Sequence, residues 1–359
     1  MTTTTRVGRA AYRDLISYTV DQDPVEIDLR DNTNLWGVPP AAAQAIADAA
    51  QAVCRYPRIY AAELRQALAE YAGVEAEMIM TGCGSDDVID AGLRALADPG
   101  DRVALLVPTF ATATTFARMN ALVPVPIPLG DDWDATVDAL VGTRARIIYL
   151  CSPNNPTSMA VPRAAIERLV ARAAGVVIID EAYSEYAGHG VADLTARSHR
   201  LLVVRTMSKA FGLAGLRVGY AIGDPGLIAE VEKARGPYKV NMIAERAALA
   251  ALENDGDWIR RHVGEAVANR DRLAVALDRL GLAPLQSSTN FLFVPTDRAA
   301  SLAEGLAALS VGVRLFTGLP VFGDAIRITV GPWTLMESFL ERLERVLAAD
   351  GVDEGALCE

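Results

Sequence analysis

Lysine is nearly missing from this sequence. Only Lys209, Lys233 and Lys239 occur among 359 residues, so arginine carries most of the positive charge. A lysine in a position suited to chemistry therefore stands out. The formal net charge of −11 argues against a nucleic-acid partner, because phosphate backbones are bound by clustered Lys and Arg.

Cysteine and histidine are also scarce, with four and three residues. The cysteines show no paired spacing, and CxxC and HExxH motifs are lacking, so the sequence predicts reduced thiols and no metal site. No apolar run reaches membrane-spanning length, and residues 1–11 lack the apolar core of a signal peptide. We therefore expect a soluble cytoplasmic protein that binds no membrane.

Short continuous apolar runs, separated by helical patterns, recur in the first two thirds of the chain. They lie at 78–80, 103–107, 147–151, 176–179 and 201–204, and further strand candidates lie at 291–294, 311–316 and 325–330. Continuous runs are typical of a parallel sheet covered by helices on both faces, which predicts an α/β fold. The length suits two domains. We expect an N-terminal arm (1–38), a large domain (39–274) and a smaller α+β domain (275–350), with a turn at 82–85 before a helix at 88–96.

Residues suited to catalysis stand where these runs end, and α/β folds bind ligands at the carboxyl ends of parallel strands. Lys209 comes after the run at 201–204. Asp180 ends the run at 176–179, and Tyr183 follows three residues later. Asn155 lies in a turn made rigid by two prolines. Singly, these are equally a solvated lysine, a Walker-B-type acid and a plain turn, but no G-x-x-x-x-G-K-[ST] motif precedes Asp180.

A second group of residues suits an anion. Gly84-Ser85-Asp86 opens a predicted helix, where free backbone amides and the positive end of the helix dipole can bind phosphate. Its polar residues could equally be the helix N-cap. Arg217 has a planar fork that suits phosphate, and Ser208 could add a hydroxyl, although Arg217 alone would be read as a surface arginine.

Together these residues supply every part of a pyridoxal-phosphate site. The cofactor needs a lysine for its aldehyde, a carboxylate for its ring nitrogen, a donor for its ring oxygen and an anion site for its phosphate. The negative charge of Asp180 would keep the ring nitrogen protonated in a dry site. Phe110, after the run at 103–107, could stack on the ring, although an isolated aromatic is more often part of the core.

At these residues the chain resembles fold-type I pyridoxal-phosphate aminotransferases, specifically the histidinol-phosphate aminotransferase family. The resemblance extends from about Tyr18 to the final helix. Its most specific segments are Arg55-Tyr56-Pro57, Cys151-Ser152-Pro153-Asn154-Asn155-Pro156-Thr157, Asp180-Glu181-Ala182-Tyr183, Arg205-Thr206-Met207-Ser208-Lys209-Ala210-Phe211, Gly215-Leu216-Arg217 and Arg327-Ile328-Thr329-Val330-Gly331.

The resemblance implies an aspartate-aminotransferase-like fold with a mainly parallel seven-stranded sheet, and it assigns roles. Lys209 would be the Schiff-base lysine and proton shuttle, with Asp180 on the pyridine nitrogen. The remaining cofactor contacts would be Asn155 and Tyr183 to the ring oxygen, Gly84, Ser85, Asp86, Ser208 and Arg217 to the phosphate, and Phe110 to the ring face. Tyr56 would reach the cofactor phosphate of a neighbouring subunit, which implies a homodimer.

The resemblance also points to substrate-binding residues, namely Arg327, Arg314, Tyr18 and Asn34. Two arginines near strand ends suit a carboxylate or a phosphate, although a surface salt bridge explains Arg314 nearly as well. The family segment N-E-N-P-[YF]-G reads Asn32-Thr33-Asn34-Leu35-Trp36-Gly37 here, and Ser158 replaces the glycine of N-P-T-G. These departures concern substrate choice rather than cofactor chemistry.

The predicted activity is a ping-pong transamination between an amino acid or amino-phosphate and a 2-oxo acid. An aromatic or other amino-acid aminotransferase of specialised metabolism is an alternative. A decarboxylase resembling threonine-phosphate decarboxylase would have the same cofactor residues. A non-catalytic regulator is disfavoured by the intact set of Lys209, Asp180 and Arg217.

Overall fold

The computed structural model describes residues 8–17, 19 and 23–356, with side chains described as far as residue 349. Tyr18 lies outside the described residues. The strands are β1 (Ile27–Asp28), β2 (Ile79–Cys83), β3 (Arg102–Val107), β4 (Val123–Pro128), β5 (Ile147–Cys151), β6 (Val176–Asp180), β7 (Leu201–Thr206), β8 (Val218–Gly223), β9 (Phe291–Pro295), β10 (Val311–Gly312), β11 (Arg314–Leu319) and β12 (Gly323–Thr329).

The α-helices are α1 (Pro40–Ala49), α2 (Ala62–Ala72), α3 (Gly84–Leu96), α4 (Ala111–Met119), α5 (Trp133–Gly142), α6 (Arg163–Arg172), α7 (Ser184–Ala187), α8 (Pro225–Glu232), α9 (Met242–Asn254), α10 (Gly256–Arg279), α11 (Ala299–Ala308) and α12 (Trp333–Ala356). Short 3₁₀ helices cover Ala10–Tyr12, Ala50–Ala52, Ile59–Ala61, Ala76–Met78, Ala192–Arg197 and Ala214–Leu216. Within the described part of the chain, no helix is both long enough and apolar enough to span a bilayer.

A seven-stranded sheet forms the centre of the large domain, in the order β2-β8-β7-β6-β5-β3-β4. Only β8 runs antiparallel to its neighbours β2 and β7, and the remaining pairs are parallel. Strands β5, β6, β7 and β8 are buried almost throughout, because helices cover both faces. The predicted mainly parallel α/β sheet is confirmed.

Alternate residues of the sheet contribute to two separate cores. Ile148 and Ile179 belong to the core on one face, whereas Tyr149 and Ile178 belong to the core on the other. This alternation follows from the two-residue period of a strand. The parallel pairing of β3 to β7 places the carboxyl ends of these strands along one edge of the sheet.

The smaller domain is built on the antiparallel sheet β11-β12-β9, covered by α11 and α12. The segment before the large domain packs into the same core through Ile27 and Leu29, and β1 pairs with β10. Helix α10 joins the domains, since its Ala266 lies in the large core and its Leu273 in the small one. The boundary predicted at residue 275 falls inside this helix and stays a prediction.

The predicted turn at 82–85 is wrong. Strand β2 continues through Cys83 and α3 begins at Gly84, whose φ of +79° redirects the chain at a single residue. The alternative that Ser85 or Asp86 caps this helix is also wrong, because the N-cap is Cys83 and both residues lie in the first turn.

Candidate active site

Strands β5, β6 and β7 deliver three predicted site residues to one edge of the sheet. The strands are adjacent and parallel, with Cys151 paired to Asp180 and Asp180 paired to Val204. Asn155 therefore follows β5, Asp180 ends β6 and Lys209 follows β7, all at the same edge. Parallel pairing explains why residues dispersed along the sequence meet here.

Asp180 is buried, with 3% of its surface exposed. Its Oδ2 accepts a hydrogen bond from the Tyr149 hydroxyl at 2.7 Å, and its Oδ1 accepts one from the Ala182 backbone amide at 3.1 Å. Burial raises the pKa of Asp180 to about 6, while both hydrogen bonds oppose that rise. The carboxyl group is thus largely ionised at neutral pH and suits a buried cationic partner.

The Lys209 amine lies at the same edge of the sheet as Asp180. Its Nζ donates a hydrogen bond to the Asp31 carbonyl oxygen at 3.0 Å and lies 5.8 Å from the centre of the Tyr183 ring. Burial, aided by the positive charge of Arg327, lowers the pKa of Lys209 to about 8. A neutral amine, able to act as nucleophile or base, is therefore accessible near neutral pH.

The start of α3 and Arg217 form an anion cradle. Arg217 Nη2 lies 3.1 Å from Asp86 Oδ2, and Arg217 Nη1 donates to Ser208 Oγ at 3.3 Å. A Cβ at Gly84 would lie 2.6 Å from Arg217 Nη2, and one at Gly219 would lie 2.2 Å from the Ser85 backbone nitrogen. The two glycines thus allow the guanidinium and the helix N-terminus to converge, as a phosphate requires.

Tyr183 and Asn155 form the part of the site nearest the smaller domain. The Tyr183 hydroxyl accepts a hydrogen bond from Asn32 Nδ2 at 3.0 Å, which leaves its own proton to be donated elsewhere. Asn155 Oδ1 accepts from Arg327 Nη1 at 2.6 Å, which leaves the Asn155 amide nitrogen as a donor. Burial raises the pKa of Tyr183, so its hydroxyl stays protonated. Both side chains suit a phenolate oxygen.

Arg314 and Arg327 lie side by side in the smaller sheet, as directly paired residues of the adjacent strands β11 and β12. Like charges in such a pair repel, and neighbouring oxygens offset the repulsion. Arg327 donates to the Arg30 carbonyl oxygen at 2.6 Å, and Arg314 pairs with the Asp31 carboxylate. Two convergent guanidinium groups suit an acidic substrate.

The other predicted residues lie as follows. The Asn34 side chain donates a hydrogen bond to the Ala210 carbonyl oxygen and accepts one from the Trp36 amide. It therefore holds the segment at 32–37 against the loop after Lys209. Tyr56 is 83% exposed and stacks on Tyr238 with ring centroids 5.0 Å apart. Phe110, the N-cap of α4, packs partly buried against the core.

The departures from the family segments have structural explanations. Ser158 has a φ of +63° and is fully buried, so it occupies a backbone conformation that glycine adopts more easily. Leu35 packs closely on Gly331 of the smaller domain. The ring centroids of Trp36 and His262, a residue of α10, are 6.0 Å apart. The segment at 31–36 therefore connects the site to both domains.

Sequence reasoning missed Tyr149, Asn32 and Asp31 as site residues. Tyr149 stands two positions before the end of a buried strand, and only the register between β5 and β6 brings it to Asp180. Asn32 has a φ of +54°, which turns its side chain toward Tyr183 and Thr329. Asn32 was visible in the sequence only as a member of the altered family segment.

This donor set fits pyridoxal phosphate. The two glycines bring Arg217 close to the first amides of α3, a donor set that suits a phosphate, and the buried Asp180 carboxylate can accept a hydrogen bond from a protonated ring nitrogen. Lys209 offers an amine of lowered pKa. By contrast, the described residues contain no group of three or more His, Cys, Asp and Glu side chains that could hold a metal ion.

The chain is similar in sequence to known aminotransferases. Residues 24–343 match the family described as aminotransferase class I and II. An aromatic amino acid aminotransferase of Nocardia farcinica is 37% identical over 89% of this chain and 91% of that protein. A histidinol-phosphate aminotransferase of Roseiflexus castenholzii is 38% identical over 90% of this chain and 91% of that protein.

A solved structure shows the same fold. The histidinol-phosphate aminotransferase of Sinorhizobium meliloti, in complex with pyridoxal-5'-phosphate, superposes with a TM-score of 0.88 at 24% identity, covering 97% of this chain and 99% of that chain. Its fold confirms the predicted fold type I architecture. The chain therefore belongs to the class I and II aminotransferases and is a pyridoxal-phosphate-dependent aminotransferase.

Proposed function

We propose that this aminotransferase works through Lys209, which holds the cofactor covalently and then moves a proton at the substrate α-carbon. The observation that carries the proposal is the placement of an amine of lowered pKa on the same sheet edge as the buried Asp180 carboxylate. Bound pyridoxal phosphate supplies an aldehyde for the substrate amine and an electron-accepting ring. Every other task falls to side chains of this protein.

Each of these side chains has a task that its surroundings support. Asp180 would accept a hydrogen bond from the ring nitrogen, and Tyr183 and Asn155 would donate to the ring oxygen. Arg217, Ser208 and the first amides of α3 would bind the phosphate. Neutral Lys209 Nζ takes the proton from the substrate α-carbon, since its lowered pKa keeps a useful fraction uncharged near neutral pH.

We propose that Arg327 and Arg314 bind the acidic group of the substrate. Relatives named for aromatic amino acids and for histidinol phosphate offer two candidate substrates, one with a carboxylate and one with a phosphate. Phe291 and Phe316 lie 5.2 and 5.6 Å from the Arg327 guanidinium carbon, measured to their ring centres. Because Asp31 already neutralises part of the Arg314 charge, the site favours a singly charged carboxylate beside an aromatic group.

The decarboxylase alternative is not favoured, because the chain belongs to the aminotransferase family. A half-reaction screen tests the assignment. Pure holoenzyme is mixed with one amine at a time, namely phenylalanine, tyrosine, glutamate and histidinol phosphate, and the visible absorbance is followed. Conversion of the aldehyde form of the cofactor to its amine form without release of carbon dioxide supports transamination, whereas carbon dioxide release without consumption of a 2-oxo acid supports decarboxylation.

We further propose a homodimer in which Tyr56 of each subunit reaches the cofactor phosphate of the other. Tyr56 is 83% exposed, and Val53 (57%), Ile59 (56%) and Tyr238 (44%) are also exposed large apolar residues. Tyr56 also borders a groove of about 570 Å³ between the segment at 56–58 and helices α1 and α9. Exposed apolar side chains of this kind suit contact with another protein surface.

A cytoplasmic location is also proposed. It is supported by the free thiols of Cys54, Cys83 and Cys151, two of which are exposed.

A further inference from the structure

We propose that Tyr149 is a positioning residue of this enzyme, whose hydroxyl keeps the Asp180 carboxylate ionised and oriented for the ring nitrogen of the cofactor. The inference rests on the proposed role of Asp180. Tyr149 is buried and its hydroxyl contacts the Asp180 carboxylate, so we assign its effect on the reaction to Asp180.

The geometry of the contact is fixed by the sheet. Tyr149 is 1% exposed and lies in β5, directly beside β6, with Cys151 paired to Asp180. Side chains two residues apart on a strand share a face, so Tyr149 and Cys151 lie on the same face as Asp180. From there the Tyr149 hydroxyl reaches Asp180 Oδ2 at 2.7 Å, which is a normal distance for an O–H···O⁻ bond.

The direction of the hydrogen bond is settled by the two acidities. Burial and the nearby Asp180 charge raise the pKa of Tyr149 well above its ordinary value. The Tyr149 hydroxyl therefore stays protonated and donates, while Asp180 accepts. A hydrogen bond donated to a carboxylate stabilises its charged form.

Asp180 needs this support because its surroundings disfavour a negative charge. Asp86 of α3 and the adjacent Glu181 both raise the pKa of Asp180, in addition to burial. Cys151 of β5 and Tyr183 also interact with Asp180, and each would add negative charge if it ionised. Against these, the Asp180 carboxylate accepts hydrogen bonds from the Tyr149 hydroxyl and the Ala182 amide.

Tyr149→Phe removes this hydroxyl and keeps the ring in the core. Loss of a hydrogen bond to a charged group corresponds to roughly a ten- to hundredfold change in affinity. We expect the Asp180 pKa to rise, because the variant lacks a donor that favours the charged form of the carboxyl group. Because ionised Asp180 is lost as pH falls through its pKa, cofactor binding should weaken at a higher pH in the variant than in the parent enzyme.

A cofactor analogue separates this role from simple packing. The dissociation constants of pyridoxal phosphate and of its 1-deaza analogue, which lacks the ring nitrogen, are measured on the apoenzyme between about pH 6 and pH 8. Tyr149→Phe should raise the dissociation constant of pyridoxal phosphate by roughly tenfold or more and leave the dissociation constant of the analogue nearly unchanged. Equal losses for both ligands would overturn the proposal, because they would indicate a structural defect.

Tyr186→Phe is the matched control. Tyr186 is also buried, at 6% exposure, but its hydroxyl supplies neither of the hydrogen bonds of Asp180. It should therefore leave the affinity ratio of the two ligands unchanged. A change in that ratio equal to the change in Tyr149→Phe would count against the proposal.

A second variant guards against failure of the phenylalanine variant to fold. Fluorotyrosine at position 149 keeps the shape and makes the hydroxyl a stronger donor, so the pH at which cofactor binding weakens should move down instead of up. No movement, or movement upward, contradicts the proposal. Loss of affinity in Asp180→Asn for pyridoxal phosphate but not for the analogue tests the underlying role of Asp180 separately.

Discussion

Gly219→Ala is a sharp test of the phosphate cradle, because the steric consequence can be worked out atom by atom. The new Cβ would lie 2.2 Å from the Ser85 nitrogen, 2.3 Å from the Gly84 carbonyl carbon and 2.6 Å from the Gly84 oxygen. All three are backbone atoms at the start of α3, so no side-chain rotation can relieve the clash. The helix start must move away from β8 and from Arg217.

The size of the effect follows from the cost of overpacking, which is about 1–3 kcal/mol at a well-packed position. If the displaced amides lose the phosphate, cofactor affinity should fall roughly ten- to hundredfold, since about 1.4 kcal/mol corresponds to a factor of ten. The melting temperature of the apoenzyme, a chain of 359 residues, should fall by roughly 1–4 °C.

The assay is titration of apoenzyme with pyridoxal phosphate, followed by absorbance, beside a thermal melt. Gly215→Ala, four residues earlier in the 3₁₀ helix Ala214–Leu216, is the control, because a Cβ there would meet nothing within 4 Å, and it should leave both quantities unchanged. Parent-like cofactor affinity in Gly219→Ala would refute the assignment of the α3 start and Arg217 as the phosphate site.

Three further results are expected. Asp31→Asn should raise kcat/KM for histidinol phosphate relative to kcat/KM for phenylalanine, because it frees the charge of Arg314 for a doubly charged phosphate. An unchanged ratio of the two kcat/KM values contradicts this. Asp193→Asn, which changes another acid paired with an arginine, is the control. The rate of amino-group uptake from a saturating donor should rise with pH, with a midpoint at about 8, where Lys209 loses its proton. Arg327→Gln should move the midpoint to higher pH, because it removes a cation that lowers the Lys209 pKa. A midpoint that Arg327→Gln leaves unchanged speaks against Lys209 as the titrating group. Mixed dimers of Lys209→Ala and Tyr56→Ala subunits should be more active than either variant alone, because one site of each hybrid then holds both residues. Activity that does not rise on subunit exchange shows that Tyr56 does not act across the interface.

The parts of the site predictable from the sequence are those that parallel strands impose. Lys209, Asp180 and Asn155 each follow a continuous apolar run, and the rule that parallel strands end at one edge places them together. The structure confirms this placement through the pairing of β5, β6 and β7. Such information is local, because each residue is marked by the strand directly before it.

Contacts that depend on tertiary register were not predictable. Asp31 meets Lys209 and Arg314 from positions 178 and 283 residues away along the chain, and no local pattern marks that approach. The Arg314 and Arg327 pair depends on the register of an antiparallel hairpin. In the sequence, nothing distinguishes Tyr149 from the other residues of its buried strand, and only the pairing of β5 with β6 brings it to Asp180.

Two strands of the sheet also lacked a clear sequence signal. β4 alternates valine or isoleucine with proline, which is tolerated at an edge because one side of the strand needs no hydrogen bonds. β8 contains Gly219 and begins immediately after Arg217, whose φ is +56°. Its glycine is required by the close approach of α3 rather than by the strand itself.

The measurement that tests the central claim most directly is the location of the cofactor on the chain. Holoenzyme is treated with borohydride to fix the cofactor to its lysine, digested, and mapped by mass spectrometry. Because the chain has only three lysines, the outcome is unambiguous. We expect the cofactor mass on the peptide containing Lys209. Its appearance on Lys233 or Lys239, or on no peptide, would contradict the assignment of Lys209.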